Sequence, residues 1–485
     1  MQRAGRCGTV LKFGILGEYY YPETKITPEM LKIGEVSFVF KIDENFIVSY
    51  DFVVQILESI QRRVENFYAN LKMLDTTYDI PQEPLINPNI NAVGIDLGMT
   101  RCCAAVNRTN GIELVAIDGS ERQLPSFVLF KVKDPICGQL VINQLESRAN
   151  STVFDIKRII GRNFNEIHIN SGWPFDQDSI KNDMDKPLVQ VQSCEGSIKK
   201  HPEEVTAILL KHMKQKIEEF QGKILDEAVI TVPVGFDQNQ KTATHVAADL
   251  AGFKTVHLLE EPIAASIAYF INRPIPPNFN LLLFDLGGGT LDLCIFKVEK
   301  NEFKIIANDG DSNLGGRDFD NLLFQHFEHI LETKYKITLN EKNRYRLIQK
   351  CVDIKHTLSN ENEASLDVNE LNCEIDEFLR VTRQEFEQMS SKLLDKIGEI
   401  LKQTFSKTNI FSSDINKVLL IGGGCRMPMI QLFLRQAFTK AEHSSDKNPD
   451  EIVAIGAAYY SSFLMSKNDS SIDESSFDIA NCNIM

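Results

Sequence analysis

Four short runs of apolar residues, each about as long as a buried strand, are spread through the chain between residues 92 and 467. Each run ends in a turn that contains glycine or proline, and helical patterns lie between the runs. Continuous apolar runs are typical of strands that are covered on both faces, as in α/β proteins. The pattern therefore predicts an α/β fold with strands at Ala92–Ile95, Ala228–Val232, Leu281–Phe284 and Val418–Ile421.

Residues 1–90 form a separate zone, which the pattern predicts to be a small α+β segment. Two strands, Val36–Ile42 and Phe46–Tyr50, flank a turn at Asp43, and a helix follows from Asp51 to about Leu74. This helix has a heptad seam, formed by Val53, Leu57, Ile60, Val64, Phe67, Leu71 and Leu74. The seam could bind a partner helix through Val53–Leu74, but packing on its own hairpin or on the next domain is favoured, because short seams are common in cores.

The zones give three predicted domains. Residues 1–90 are an N-terminal extension that ends in a proline-rich connector, residues 91–467 are the main domain, and residues 468–485 are a mobile tail rich in Ser, Asp and Asn. We see no repeat of 20–50 residues, which excludes solenoids and propellers.

Composition narrows the class of protein. The chain has 485 residues and a formal net charge of -15, with 67 acidic side chains against 52 Lys plus Arg. This balance argues against nucleic acid or an anionic membrane as the main partner, since both require clustered cations. The first 30 residues hold no apolar run after a basic start, so a secretory signal is not expected, and no stretch approaches the about 20 apolar residues that span a bilayer. The ten cysteines include no C-x-x-C pair, which indicates reduced thiols and a cytoplasmic protein.

Two of the predicted strands end in nearly the same way. Asp96 is followed by a turn at Gly98-Met99-Thr100, and Asp285 by a turn at Gly287-Gly288-Gly289-Thr290. Glycine turns leave backbone N–H groups free to hold phosphate oxygens, and an Asp at the strand end can hold Mg²⁺ through water. Two matching turns predict a duplicated unit that faces one phosphate group. A third turn, Gly422–Arg426, opens a helix and would face an anion or a nucleotide. The P-loop and dinucleotide fingerprints are absent.

These three turns resemble the phosphate and adenosine loops of the actin-like ATPases, and further motifs resemble one family, the heat-shock protein 70 chaperones. The motifs follow the family's order across nearly all of 92–467: 152–155 running into 157–162, then 173–175, 231–233, 261–269, 315–320 and 448–451. The resemblance implies an actin-like ATPase fold, in which two lobes with duplicated mixed sheets enclose a nucleotide cleft. It also implies ATP or ADP with Mg²⁺ as ligands, and roles in protein folding and the stress response.

The resemblance assigns roles residue by residue. It implies that Asp96, Asp285 and Asp292 organise Mg²⁺, largely through water, that Glu261, Thr290 and Asp285 act at the reacting phosphate, and that Pro233 is a hinge between the lobes. The nucleotide-binding positions are implied to be Gly98, Met99, Thr100, Gly287, Gly288, Gly289, Thr290, Gly315, Gly316, Lys355, His356, Ser359, Gly423, Gly424, Arg426 and Asp450. Lys355 and Ser359 lie four apart on one predicted helix and can reach the same ligand edge.

The sequence differs from the family at three positions that the resemblance implies for nucleotide binding or hydrolysis. An ungapped count from Pro125 to Asn143 places Ile142 at the position of the family's catalytic lysine, and Lys131 and Lys133 are not expected to reach the site. Losing such a charge typically costs a factor of about 10²–10³ in rate. In addition, Met99 replaces a threonine and Val352 a glutamate. The sequence therefore predicts nucleotide binding with weak or absent hydrolysis. The alternatives are a slow ATPase that acts as a chaperone or co-chaperone, and a degenerate paralogue that binds nothing.

The chain also stops about twenty residues after Leu464, so it is expected to lack the family's peptide-binding module. Any chaperone role would then act through a partner, for example of the nucleotide-exchange-factor or J-domain type, or through residues 1–90. The last four residues, 482–485, match a C-a-a-X pattern, which marks Cys482 as a candidate for farnesylation or as a coincidence. A single prenyl chain gives only transient membrane contact.

Overall fold

The computed structural model describes residues 2–3, 9–10, 77–79 and 90–477, with gaps at 171, 175–179, 184, 272, 274–275, 277, 300–301 and 445–447. The chain divides into two compact units, residues 1–69 and 70–485. In the first unit, strands β1 (Gln2–Arg3) and β2 (Thr9–Val10) pair antiparallel. The predicted hairpin at 36–50, the helix from Asp51 to Leu74 and the C-terminal motif at Cys482 lie outside the described residues.

The second unit contains the remaining strands. In chain order they are β3 (Thr77–Asp79), β4 (Val93–Asp96), β5 (Arg101–Arg108), β6 (Gly111–Leu114), β7 (Gln123–Pro125), β8 (Phe127–Leu129), β9 (Ile136–Cys137), β10 (Thr152–Phe154), β11 (Ile180–Asp183), β12 (Lys186–Ser193), β13 (Gly196–Lys200), β14 (Glu227–Val232), β15 (Thr255–Glu260), β16 (Phe279–Leu286), β17 (Leu291–Glu299), β18 (Glu302–Asp311), β19 (Glu363–Asp367), β20 (Phe378–Thr382), β21 (Lys417–Ile421) and β22 (Glu442–Ser444).

The helices of this unit are α1 (Gln139–Ile142), α2 (Leu145–Arg148), α3 (Pro202–Gln221), α4 (Gln238–Leu250), α5 (Glu261–Phe270), α6 (Gly316–Lys334), α7 (Glu341–Asn360), α8 (Arg383–Met389), α9 (Ser391–Ser406), α10 (Pro428–Ala437) and α11 (Ile452–Phe477). The last helix extends ten residues into the segment predicted as a tail from residue 468 onward.

Two of the sheets have the same topology. The first has the order β15-β14-β4-β5-β6, and the second has β22-β21-β16-β17-β18 with β3 added at its edge. In each, the central strand pairs antiparallel with the next strand in the chain and parallel with a later one: β4 with β5 and β14, β16 with β17 and β21. The predicted duplicated mixed sheets are therefore confirmed, and all four strands predicted from apolar runs lie in them.

Each sheet has its own core, and a third apolar cluster joins the two. Helices α5 and α11 form this junction and pack against each other at very short range. A Cβ added to Gly456 would lie 1.7 Å from the carbonyl oxygen of Ala264, and one added to Gly94 would lie 2.2 Å from the amide of Ala458. Glycine at these crossings lets α11 lie directly on α5 and on β4. The two lobes are therefore joined by the closely packed backbones of α5, α11 and β4.

Candidate nucleotide-binding cleft

The two predicted phosphate turns lie in direct contact between the lobes. Asp96 ends β4, Asp285 lies one residue before the end of β16, and the glycine turns follow these strands. A Cβ added to Gly288 would lie 2.2 Å from Oγ1 of Thr100, and one added to Gly289 would lie 1.7 Å from Cε of Met99. Side chains at these glycines would hold the turns apart, so glycine lets the two lobes present their backbone amides to one ligand.

The start of α6 lies against the same turns. The amide of Gly316 donates to the carbonyl of Gly287 over 3.0 Å, and the amide of Arg317 donates to Gly288 over 2.7 Å. A Cβ added to Gly315 would lie 2.4 Å from the backbone nitrogen of Gly289. The predicted site residues Gly315 and Gly316 therefore adjoin the second phosphate turn.

The third glycine turn lies at the end of β21, and it binds the loop that precedes α11. Gly422 has a left-handed backbone with φ of 77°, and residues 423–426 form one 3₁₀ turn. A guanidinium nitrogen (Nη2) of Arg426 lies 2.7 Å from Oδ2 of Asp450. A Cβ added to Gly423 would lie 3.0 Å from Oδ1 of the same carboxylate, and Gly424 packs on Leu286. The structure thus brings together the four residues predicted to contact adenosine.

Helix α7 carries the predicted Lys355, His356 and Ser359, and also Val352. The Lys355 ammonium donates to the carbonyl of Gly316 over 3.1 Å and lies 2.7 Å from Asp320. The Ser359 hydroxyl donates to the carbonyl of Lys355 over 3.0 Å. Burial, together with the neighbouring Lys355 charge, lowers the pKa of His356. A neutral imidazole at this position is suited to stacking on a base.

Four carboxylates and one lysine occupy the point where the phosphate turns meet. Asp285, Asp292 and Glu261 are buried, and Asp96 is partly buried and accepts a hydrogen bond from Thr231 over 3.2 Å. Burial and the nearby Glu261 charge raise the pKa of Asp96 and of Asp292 to about 7. The same causes raise the pKa of Asp285. So many carboxylates in a small space require a cation.

Lys157 is the cation that faces these carboxylates. Its Nζ lies 2.5 Å from Oε1 of Glu261, and each of the two side chains is only 9% exposed. Burial by itself would lower the pKa of Lys157, but the carboxylates of Glu261 and Asp96 outweigh burial, and the pKa is raised. The ammonium therefore stays charged, beside the groups predicted to act on the reacting phosphate.

Local backbone geometry directs Lys157 into the cleft. Asp155, which follows β10, has a left-handed backbone with φ of 56°. Its carboxylate accepts a hydrogen bond from the Trp173 indole over 3.1 Å and from the Arg317 guanidinium over 3.2 Å. Because this buried carboxylate is held from both lobes, the 3₁₀ turn Ile156–Arg158 that follows it is fixed in direction.

Ile142, which the ungapped count places at the position of the family's catalytic lysine, lies on the first lobe, and its effect on hydrolysis stays a prediction. Ile142 ends α1, and its side chain packs against the apolar core of the first lobe. Its carbonyl accepts a hydrogen bond from the Gln349 amide over 2.8 Å. Lys157 was not among the site residues predicted from the sequence, although it stands inside the run 157–162 that carries the family resemblance.

Met99 does lie at the site, where it replaces a hydroxyl with a thioether beside Gly289. Pro233 lies on the first lobe just after β14, and it lines a cavity next to Lys157. Its predicted role as a hinge stays a prediction.

The carboxylates suit a magnesium ion that keeps most of its water. Among the described residues, no group of three or more carboxylate, imidazole or thiol side chains could hold a metal ion. Mg²⁺ usually retains several waters and takes one or two carboxylates together with substrate phosphates. Burial, and after it the Glu261 charge, raises the pKa of Asp96, Asp285 and Asp292, and a hydrated cation would stabilise their ionised forms.

Comparison with known proteins agrees with this geometry. The family model described as Hsp70 protein matches residues 92–475. Heat shock cognate 70 kDa protein 3 of Dictyostelium discoideum is 35% identical over 399 residues, which cover 81% of this chain and 63% of that protein. Heat shock 70 kDa proteins of Emericella nidulans and Neurospora crassa are 36% and 35% identical, and each match covers 77% of this chain and 58% of the relative.

The duplicated mixed sheets define an actin-like ATPase fold. The chain belongs to the heat-shock protein 70 family. It spans about three fifths of the length of the curated relatives it matches. No helix in the described part of the chain is both long and apolar enough to cross a membrane.

Proposed function

We propose that the cleft binds Mg-ATP and hydrolyses it slowly to ADP and phosphate, as a nucleotide switch of a chaperone-related protein. The observation that carries the proposal is the contact between Lys157 and Glu261, 2.5 Å apart where the two phosphate turns meet. This contact favours the slow ATPase over the non-hydrolysing switch that the position of Ile142 suggested.

Different groups of residues bind the phosphates, the nucleoside and Mg²⁺ in this proposal. Backbone amides of Gly98–Thr100 and Gly288–Thr290 face the β- and γ-phosphates, whereas the Gly287 amide donates to the carbonyl of Thr290 within its turn. Arg426, Asp450 and α7 hold the nucleoside. Mg²⁺, held largely through water by Asp96, Asp285 and Asp292, would neutralise charge that develops on the phosphates. Lys157 adds a fixed positive charge beside the transferred phosphoryl group, and this kind of preorganised charge lowers the barrier.

Glu261 and Thr290 are placed to orient the attacking water. Glu261 stays close to Lys157, and the Thr290 hydroxyl hydrogen-bonds Asp292. Water adds to the γ-phosphorus, the bond to the bridging oxygen breaks, and ADP, inorganic phosphate and one proton result.

A second candidate, a switch that binds ATP with little turnover, is favoured by Met99. Its thioether lies where a hydroxyl would donate to the γ-phosphate, so one stabilising hydrogen bond is lost. We expect this to slow the reaction rather than abolish it, since Lys157 supplies the charge.

Cleft closure around ATP would give partners a different surface from the open form. ATP would shift the equilibrium between the open and the closed form of the cleft by its differential affinity for the two forms. We propose that the partners are co-chaperones that sense the state of the lobes.

A single-turnover assay of the full chain with stoichiometric Mg-ATP tests the proposal. We expect conversion to ADP within minutes in the wild type, and ATP that persists for hours in the Lys157→Met variant. ATP that persists for hours in the wild type would favour the non-hydrolysing switch. Failure to retain any nucleotide would indicate the degenerate paralogue.

A further inference from the structure

One arginine of the second lobe reaches into the first lobe beside the phosphate turns. Arg317 is the second residue of α6, and its backbone amide donates to the carbonyl of Gly288 over 2.7 Å. Its side chain crosses to the first lobe, where Nε and Nη2 both donate to Oδ1 of Asp155, over 3.3 Å and 3.2 Å. Arg317 therefore joins the second phosphate turn to the first lobe through a single residue.

Two aromatic rings of the first lobe contact the guanidinium of Arg317. Phe127 and Phe154 lie opposite each other on the paired strands β8 and β10, and their rings stack with centroids 4.6 Å apart. The guanidinium carbon of Arg317 lies 5.5 Å from the centroid of Phe127 and 5.1 Å from that of Phe154. A planar guanidinium can stack on aromatic rings and donate to a carboxylate at the same time. This part of the first lobe is therefore suited to bind an arginine.

The carboxylate that accepts from Arg317 is almost fully buried. The side chain of Asp155 is 2% exposed and that of Arg317 is 15% exposed. Oδ2 of Asp155 accepts from the indole N–H of Trp173 over 3.1 Å, so its two oxygens are held from different lobes. A buried charge that loses its charged partner is left poorly compensated. Removal of the Arg317 guanidinium should therefore disturb Asp155, although Trp173 remains.

A second ion pair crosses between the lobes at the neighbouring residues. Asp318 of the second lobe lies 3.6 Å from Nη2 of Arg158 in the first lobe, and the same nitrogen donates to the carbonyl of Gly289 over 2.9 Å. Lys157 lies between Asp155 and Arg158 in the sequence. The short turn that carries Lys157 is therefore attached to the second lobe at both of its ends.

We propose that Arg317 is a positioning residue for hydrolysis, which holds Lys157 at the reacting phosphate through Asp155 and does so only while the two lobes are in contact. The inference rests on the proposed ATPase function. The left-handed backbone of Asp155, with φ of 56°, is one that a non-glycine residue keeps only where its surroundings hold it. Because Arg317 is part of those surroundings and belongs to the second lobe, separation of the lobes releases the turn that carries Lys157.

Single-turnover hydrolysis in the full chain tests this role with Arg317→Met, Lys157→Met and the double variant. Arg317→Met loses charge-assisted hydrogen bonds to a buried carboxylate, so the rate should fall about tenfold or more. The affinity for Mg-ATP should change much less, because the glycine turns remain. In the double variant the rate should equal that of Lys157→Met alone, since Arg317 acts through Lys157. A further loss in the double variant would overturn the inference.

Lys334→Gln is the matched control for the loss of a charge on α6. Lys334 lies at the far end of that helix, is 58% exposed, and pairs with Glu377 of the same lobe over 3.0 Å. This variant should hydrolyse ATP at the wild-type rate. Wild-type hydrolysis in Arg317→Met as well would overturn the inference.

Labelling with an amine-reactive ester tests the position of Lys157 without nucleotide, and peptide mass spectrometry reads each lysine separately. Lys157 is 9% exposed and bound to Glu261, so it should react slowly in the wild type and several times faster in Arg317→Met. Lys417 is an internal control, because its side chain is only 5% exposed and lies far from Arg317 in the sequence. It should react at the same slow rate in both proteins.

The labelling result separates this inference from the proposed function. If the wild type converts no ATP, the proposed function fails, and labelling still decides whether Arg317 positions Lys157. Equal labelling of Lys157 in the wild type and in Arg317→Met overturns the inference even where ATP is hydrolysed. Faster labelling of both Lys157 and Lys417 in the variant would mean a general opening of the fold, and the positioning role would be overturned.

Discussion

The two ends of the cleft contain similar ion pairs in very different surroundings. At the phosphate end, Lys157 and Glu261 are each 9% exposed, whereas at the nucleoside end Arg426 is 53% and Asp450 25% exposed. Water screens the second pair, and such exposed pairs typically contribute about 0–1 kcal/mol. A buried charge that loses its partner costs several times more. The phosphate end, called the inner end below, should therefore decide the rate of hydrolysis. The nucleoside end, called the outer end, should adjust the affinity for nucleotide.

The largest expected effect is on hydrolysis in Lys157→Met. Losing one preorganised charge typically lowers the rate about 10²–10³-fold. Nucleotide affinity should fall much less, because the glycine turns and the outer end remain. Quench-flow single turnovers and nucleotide titrations measure the two quantities. Lys131→Met, an exposed lysine on the same lobe, is the control. A similar rate in all three proteins would remove Lys157 from the mechanism.

Gly315→Ala should disrupt the inner end through its backbone. The added methyl would lie 2.4 Å from the Gly289 nitrogen, and such overpacking typically costs about 1–3 kcal/mol. We expect lower stability and weak ATP binding, measured by urea unfolding and nucleotide titration. Gly398→Ala in α9, where the nearest atom would be 3.5 Å away, should cost nothing. Wild-type ATP affinity in Gly315→Ala would show that the contact between α6 and the phosphate turn is dispensable.

The inner carboxylates predict a pH effect in protein free of Mg²⁺ and nucleotide. The folded-state pKa of Asp96 and of Asp292 is about 7, above the ordinary value of 3.8, because of burial and Glu261. Ionising these groups therefore destabilises the folded state, and stability should rise as the pH falls from 8 through 7. His245, whose pKa burial lowers to about 4, opposes this below pH 6.5.

Urea unfolding with a chelator at pH 8 and pH 6.5 measures this difference. We expect greater stability at pH 6.5, and a smaller difference in an Asp96→Asn, Asp292→Asn double variant. Mg-ADP should reverse the trend, since a cation stabilises the ionised carboxylates. Greater stability of the metal-free wild type at pH 8 would contradict the charge excess at the inner end.

Arg426→Ala tests the outer end, and the expected effect is small. Because the pair with Asp450 is exposed, ADP affinity should fall by less than about tenfold, and the rate of single-turnover hydrolysis should stay near that of the wild type. Fluorescent ADP titration measures the first quantity. A hydrolysis defect as large as that of Lys157→Met would erase the contrast between the two ends.

Ile142→Lys should have the smallest effect on the chemistry. Because Ile142 packs on the first-lobe core, a lysine there should lower stability but leave hydrolysis within about twofold of the wild type, while Ile142→Leu should change neither. A large gain in rate would restore the explanation based on the ungapped count.

The four core strands, the glycine turns at their ends and the positions of Asp96 and Asp285 could be predicted from the sequence, because these features depend on local apolar runs and on backbone positions that only glycine tolerates. The duplicated topology followed from the matching turns. The structure confirmed the two mixed sheets, although their order could not be read from separate runs.

Which lysine lies beside the inner carboxylates depends on tertiary contacts. An ungapped count assigns positions along the chain, whereas a charge acts through space over a few ångströms. The left-handed Asp155, held by Trp173 and Arg317 from two lobes, turns Lys157 toward Glu261. Ile142 on α1 packs against the core of the first lobe. Lys157 and Glu261 are 104 positions apart, and Asp155 and Arg317 are 162 apart, so no local pattern contained these two contacts.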